Sequence, residues 1–213
     1  ADGFHAVVVD VTTGARRRLP VPVHVVHPGG RVALSVSYAR LQACRPSYSY
    51  AGSPDPKWDV PAHPDDGIHC VDLETGAVEQ LISTAEVVTN EPLDAFEREP
   101  SWLMHPLWSP GGDRFAFLHR WNDPQGATRE RLYTADADGE DLHMFPDTQL
   151  YTHLSWRDAE TLTVWGLPPS PTQRMETVVR NTAMLRGVVV PLYRWARSHV
   201  PGMGQRVSHQ GVG

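Results

Sequence analysis

Residues 105–119 read HPLWSPGGDRFAFLH. The centre is a tight Pro-Gly-Gly turn between two apolar runs, and Phe115-Ala116-Phe117-Leu118 has the composition of a strand. The stretch therefore predicts a hairpin. A histidine at its front is not needed by that hairpin, so His105 is either a packing residue at a strand start or part of a site. The rest of the chain decides between them only if it repeats the pattern.

Working outward, two kinds of hairpin recur. The first is an apolar strand that closes on Asp, turns through Gly and continues as a second strand: VVVDVTTGARRRLP (7–20), IHCVDLETGAVEQLI (68–82) and LYTADADGEDLHMF (132–145). Alternation at Val7, Val9 and Val11, and at Ile68, Cys70 and Asp72, has the period of two that marks a strand. The second kind is VVHPGGRVALSV (25–36), PLWSPGGDRFAFLH (106–119) and HLSWRDAETLTVWG (153–166). The kinds alternate, first then second, three times. Two hairpins make a four-stranded antiparallel unit, and a repeated unit of that type is the blade of a β-propeller.

Gly14, Gly76 and Gly139 are nearly evenly placed, further apart than the roughly 40–45 residues of a compact blade. Two insertions, 42–67 and 84–104, account for the excess. The second predicts a short helix near 92–98. Asp10, Asp72 and Asp136 occupy matching positions, where turn and ladder hydrogen bonding is their simplest role. Ser109 reads as a turn residue and not a nucleophile. The fold expectation is an all-β partial propeller of about three four-stranded blades over residues 1–170, a section of a larger ring. An open fan leaves exposed edges, so the missing blades are expected from the rest of a parent chain or from another chain. The absent initial Met and the ending SHQGVG favour the fragment reading. Residues 171–213 form a second region. Apolar residues from Met175 to Val189 approximate helical spacing, which predicts a helical insertion or tail, with a basic membrane-surface helix as the sharper alternative.

Composition excludes some classes. The 213 residues carry a formal net charge of −6, so there is no basic field for nucleic acid. The 19 prolines and 17 glycines favour turns and short strands. Two cysteines, Cys44 and Cys70, have no metal-finger spacing and read as free thiols. No apolar run approaches a membrane span. The N-terminus has no signal-peptide shape, which favours the cytoplasm, although a strand that starts almost at once reads as a cut end.

The pattern DxxTG…PLWSPGGDRFAF resembles the TolB-type, WD40-like propeller repeat, commonly PxWSPDGxxIAF. Here Gly112 and Asp113 stand where Asp-Gly is usual. The resemblance covers about residues 7–166. Within that superfamily the chain is most similar to oligogalacturonate-lyase-like propellers, in which a histidine often precedes the WSPDG segment. Such a resemblance implies a histidine-rich centre at the channel mouth, a divalent metal of the Mn or Zn type, and β-elimination on uronate-containing glycans.

Residue by residue, the match is narrow. Aligned on Trp108 and Trp156, His105 matches His153. Both are His-x-x-Trp, so they are the candidate catalytic and metal-ligating pair. His24 and His27 lie near the equivalent place in the first unit but do not align: on the turn glycines, His24 matches Pro106. The compact histidine cluster of those enzymes is not evident after Gln149. The long insertion concentrates Arg40, Arg45, Tyr48, Tyr50 and Trp58 on a loop, where binding residues commonly sit. Arg suits a carboxylate and aromatic faces suit sugar rings. Arg45 and Tyr48 join the two histidines as catalytic candidates. Arg40, Tyr50, Trp58 and Trp102 are candidates for binding an acidic oligo- or polysaccharide. Two readings stay open: a polysaccharide lyase, and a non-catalytic propeller that binds a glycan or protein. In the second, the histidines are strand-start residues and the loop aromatics cover the sheet.

Overall fold

The computed structural model describes residues 3–146, 150–166 and Pro171. The chain divides into two compact units, Ala1–Leu167 and Pro168–Gly213. The helical reading beyond Pro171, and Gln149, fall outside the described residues.

The described part is built almost entirely of β-strands, in four antiparallel sheets. Strands β1 (Val7–Val9) and β2 (Arg16–Arg18) form a two-stranded sheet. Strands β3 (Val25–Val26), β4 (Val32–Ser35), β5 (Gly67–Asp72) and β6 (Val78–Ser83) form a four-stranded meander. A second meander follows in β7 (Ser101–Trp108), β8 (Arg114–Asn122), β9 (Thr128–Asp136) and β10 (His143–Met144). Strands β11 (Tyr151–Trp156) and β12 (Leu162–Gly166) close the series as a two-stranded sheet. Among the described residues the sheets form no closed ring. No helix among them is long and apolar enough to cross a membrane.

All six repeat hairpins form. The frame differs from the sequence reading, because each four-stranded sheet joins a hairpin of the second kind to the hairpin of the first kind that follows it. β4 pairs with β5, and β8 with β9. The first-kind hairpin 7–20 and the second-kind hairpin 153–166 are left as the two-stranded sheets. Long insertions explain the shift. The 42–67 segment lies inside a sheet, between β4 and β5, and the 84–104 segment connects two sheets.

The turn chemistry is local. The Asp10 carboxylate accepts from the backbone N–H groups of Thr12 and Thr13 at 2.9 and 2.7 Å, and Asp72 does the same with Glu74 and Thr75. The third repeat departs. Asp136 instead pairs with Arg114 at 2.7 Å, and Asp138 accepts from Glu140 N–H. Ser109 is a turn residue, with its hydroxyl donating to Asp113 at 2.6 Å.

Alternation along β8 builds the core on both faces of its sheet. Phe115 and Phe117 face one way, packing with Leu34, Ile68 and Ile82 of the preceding sheet. Ala116 and Leu118 face the other way, into a cluster with Leu132 and Tyr151 against which Leu154, Trp156 and Leu162 pack. Phe115, Phe117 and Leu118 are fully buried, each stabilising by about 1.5–3 kcal/mol relative to exposure.

The insertions carry helices that the hairpin pattern does not reveal. Helix α1 (Tyr38–Cys44) is capped by Ser37, which accepts from Arg40 N–H at 3.1 Å, and a 3-10 turn follows at Pro46–Tyr48. Helix α2 (Thr84–Asn90) is capped by Ser83, which accepts from Glu86 N–H at 3.0 Å. The helix expected near 92–98 is a 3-10 turn at Asp94–Glu97. Both cysteines are free; burial is the main influence that pushes the Cys44 thiol up to about 12, which leaves it inert.

Candidate functional site

His105 and His153 sit on the first strands of successive sheets, three residues before Trp108 and Trp156. Both have positive φ, 53° and 45°. In β7 the register jumps from Met104↔Leu118 to Leu107↔Ala116, so His105 and Pro106 together oppose Phe117. In β11 it jumps from Thr152↔Trp165 to Leu154↔Val164, which leaves His153 as the extra residue. Each histidine is therefore part of a β-bulge. Bulges re-aim side chains, and a left-handed non-glycine residue costs about 1–2 kcal/mol.

The re-aimed side chains line one cavity of about 310 Å³, together with Tyr48, His24, Arg120 and Thr152. The His24 and His105 ring centroids are 6.2 Å apart, and Tyr48 meets His105 edge-on at 5.9 Å. The first strands are locked side by side. His27 contacts Trp108 at 4.8 Å, its Nε2 lies 3.1 Å from the Gly112 carbonyl, and Trp156 Nε1 donates to the Leu107 carbonyl at 3.0 Å. A wider hollow of about 510 Å³ lies among turn residues Asp113, Arg114, Asp136 and Asp138, open to solvent. It contains no histidine, and Arg114 already pairs with Asp136 and Asp141.

The site is electrostatically distinctive. Burial, then the guanidinium of Arg120, the imidazoles of His24 and His153, and the guanidinium of Arg45, lower the His105 pKa to about 4. Burial also lowers that of His24. Both imidazoles are thus neutral at neutral pH. Arg120 Nε lies 2.5 Å from Glu130 Oε2, with both side chains only 6% exposed. Burial lowers the Arg120 value and raises that of Glu130, while each partner opposes the shift of the other. We read the pair as ionised.

The expected residues separate into two groups. His105, His153 and Tyr48 line the cavity. Arg45 stands behind Tyr48, with its guanidinium 5.0 Å from the ring centroid, and donates to Thr128 at 2.9 Å. Tyr50 stacks on Tyr38 at 5.9 Å, and the Tyr38 hydroxyl is 3.5 Å from His24 Nδ1, so it adjoins the cavity without lining it. The rest do not converge there. Arg40 is 1% exposed and is consumed by structure. It pairs with Asp55 at 2.6 Å and donates to the carbonyls of Lys57, Val60 and Pro61. Trp102, also 1% exposed, is a core residue whose indole N–H donates to the Met104 sulfur. Neither can present a surface to a sugar. Trp58 is 43% exposed and lies against Arg40, outside the cavity lining.

The sequence alignment set His24 aside and did not single out Arg120. Counting back from the turn glycines pairs His24 with Pro106, but the bulge gives β7 one extra residue there. Without a bulge, His24 lies one rung beyond Val25↔Leu34, level with the His105–Pro106 pair. Arg120 had a visible signal: a charge on the strand face that otherwise carries Ala116 and Leu118, opposite Glu130 in the register.

Among the described residues no three His, Cys, Asp or Glu side chains come together to hold an ion. Two guanidinium groups beside His105 would also repel one. No protein-family model, curated protein or solved structure matches the chain.

Proposed function

We propose that the chain is a section of a TolB-type β-propeller whose cavity binds an acidic saccharide and breaks it by β-elimination. The observation that carries this reading is the convergence of two bulge histidines, Tyr48 and a buried arginine on one cavity. The meandering four-stranded sheets stacked face to face support the propeller architecture. In the reaction, a guanidinium neutralises the uronate carboxylate and so acidifies the neighbouring C–H. Neutral His105 takes that proton, the electron pair forms the new C=C bond, and the C–O bond to the leaving sugar breaks. Tyr48 gives its hydroxyl proton to the departing oxygen. The products are an unsaturated uronate and a free hydroxyl.

The test is the absorbance of unsaturated uronate on a panel of acidic polysaccharides, with His105→Ala and His153→Ala alongside. Product from the wild type, with a loss of at least roughly a hundredfold in His105→Ala, supports the mechanism. One observation favours a second reading. A value of about 4 makes His105 a weak base at neutral pH, which suits a module that binds an acidic glycan and leaves it intact. Binding without product on every substrate would select that module.

A further inference from the structure

We propose that Arg120 is the group that seats the anion of the ligand, and that Glu130 is the positioning residue that fixes it and the strand bearing His153. This rests on the reading above that the ligand is an acidic saccharide, but it concerns recognition and not bond cleavage.

The argument begins with the strand. Arg120 lies in β8 on the face of Ala116 and Leu118, and is 5% exposed. A guanidinium there carries a desolvation penalty that a packed apolar side chain would avoid. Its cross-strand partner is Glu130 on β9, which holds Nε. Nη1 donates to the Met104 sulfur at 3.2 Å, a weak acceptor. Among the described residues, Nη2 has no hydrogen-bond acceptor, and the side chain lines the cavity. Donors are therefore left over where a ligand would sit. No acidic side chain lines that cavity among the described residues.

Glu130 does a second thing. Its carboxylate also accepts the backbone N–H of Tyr151, the first residue of β11 and two before His153. One carboxylate thus ties the guanidinium of β8 to the start of the strand that carries the second bulge. Because Glu130 balances Arg120, the site offers directed donors with little excess charge. That suits a singly charged carboxylate, which can accept in parallel from a planar guanidinium.

The experiment measures calorimetric binding of a uronic-acid disaccharide and of the neutral hexose disaccharide of the same linkage to the whole chain. The variants are Arg120→Met, Glu130→Gln and the double variant. Wild type is expected to prefer the acidic ligand, and Arg120→Met to lose that preference by roughly tenfold to a hundredfold. Glu130→Gln should also lose it, and the double variant should lose no more than Arg120→Met alone. That non-additivity separates positioning through Arg120 from a general structural role. Should a single variant fail to fold, the double variant, which removes both charges, still reports on Arg120. Failure of the wild type to prefer the acidic ligand, including no binding of either, overturns the inference. So does an undiminished preference without Arg120, and additive losses overturn the role of Glu130. Elimination is read separately: product formation that is indifferent to Arg120 would sink this inference, and the neutralising guanidinium of the lyase reading would then have to be that of Arg45, the other one acting on His105.

Discussion

Arg40 Nε lies 2.6 Å from Asp55 Oδ2, with the two side chains 1% and 2% exposed. The pair closes the insertion between β4 and β5 onto α1, and the remaining guanidinium donors hold the carbonyls of Lys57, Val60 and Pro61. Removing one member leaves the other charge buried and alone. Arg40→Met should therefore cost about 3–5 kcal/mol, and the double change Arg40→Met with Asp55→Leu should recover most of it. Urea unfolding of the three proteins checks both statements.

The left-handed backbone at His105 and His153 separates stability from function. Glycine adopts positive φ without steric cost. His105→Gly should be more stable than His105→Ala by about 1 kcal/mol, and both should lose the activity or binding of the cavity. The same order should hold at His153. Thermal melts beside a ligand-binding assay test this. Equal melting temperatures for the Gly and Ala variants would argue against strain at the bulges.

Acid should destabilise the fold through its buried histidines. His119 is fully buried among Phe96, Trp121 and Tyr133, and neither ring nitrogen has a hydrogen-bond partner among the described residues. Burial holds its pKa well below the usual imidazole value. Below pH about 6.5 the unfolded chain binds protons that the folded chain refuses. Stability should therefore fall with pH through that window, His105 ceasing to add to the loss once it titrates in the fold near 4. Asp66 and Glu130, whose values burial raises, act in the opposite sense. His119→Phe isolates the effect: it should flatten the curve between pH 6.5 and 4. An unchanged slope in denaturant titrations would show that His119 is not buried neutral.

Gly112 joins two sheets. Its φ is +78°, and a Cβ there would lie 2.0 Å from His27 Nε2. Gly112→Ala should cost about 2 kcal/mol, from left-handed strain and the displaced imidazole. At Gly111, where a Cβ would meet Asp113 Oδ1 at 3.3 Å, alanine should be milder. Chemical denaturation of the two variants makes the comparison.

The hairpins were legible because their signals are local: alternation, an Asp that closes the strand, and a turn glycine. The frame of the sheets was not, because pairing of β4 with β5 spans an insertion on which the hairpin pattern is silent. Helix α2 had a readable signature, Ser83 followed three residues later by Glu86, at the start of the second insertion. At the candidate site the repeat exposed His105 and His153. His24 was hidden by one residue of bulge, a feature of backbone geometry and not of composition. Arg40 and Trp102 looked like binding residues because Arg and Trp serve burial and recognition equally well. Only their partners distinguish the two.

The sheets are unequally protected. The β7–β10 sheet is covered on both faces, whereas β11–β12 beyond the buried Tyr151 consists of half-buried and exposed residues. The cavity spans that boundary, with Arg120 and His105 on the firm side and His153 on the weaker one. Fluctuations that loosen β11–β12 would thus dismantle the cavity before they reach the main core. Amide exchange should be slowest in β8 and faster in β12, and a bound ligand that spans the boundary should slow exchange in β11 and β12 more than in β8.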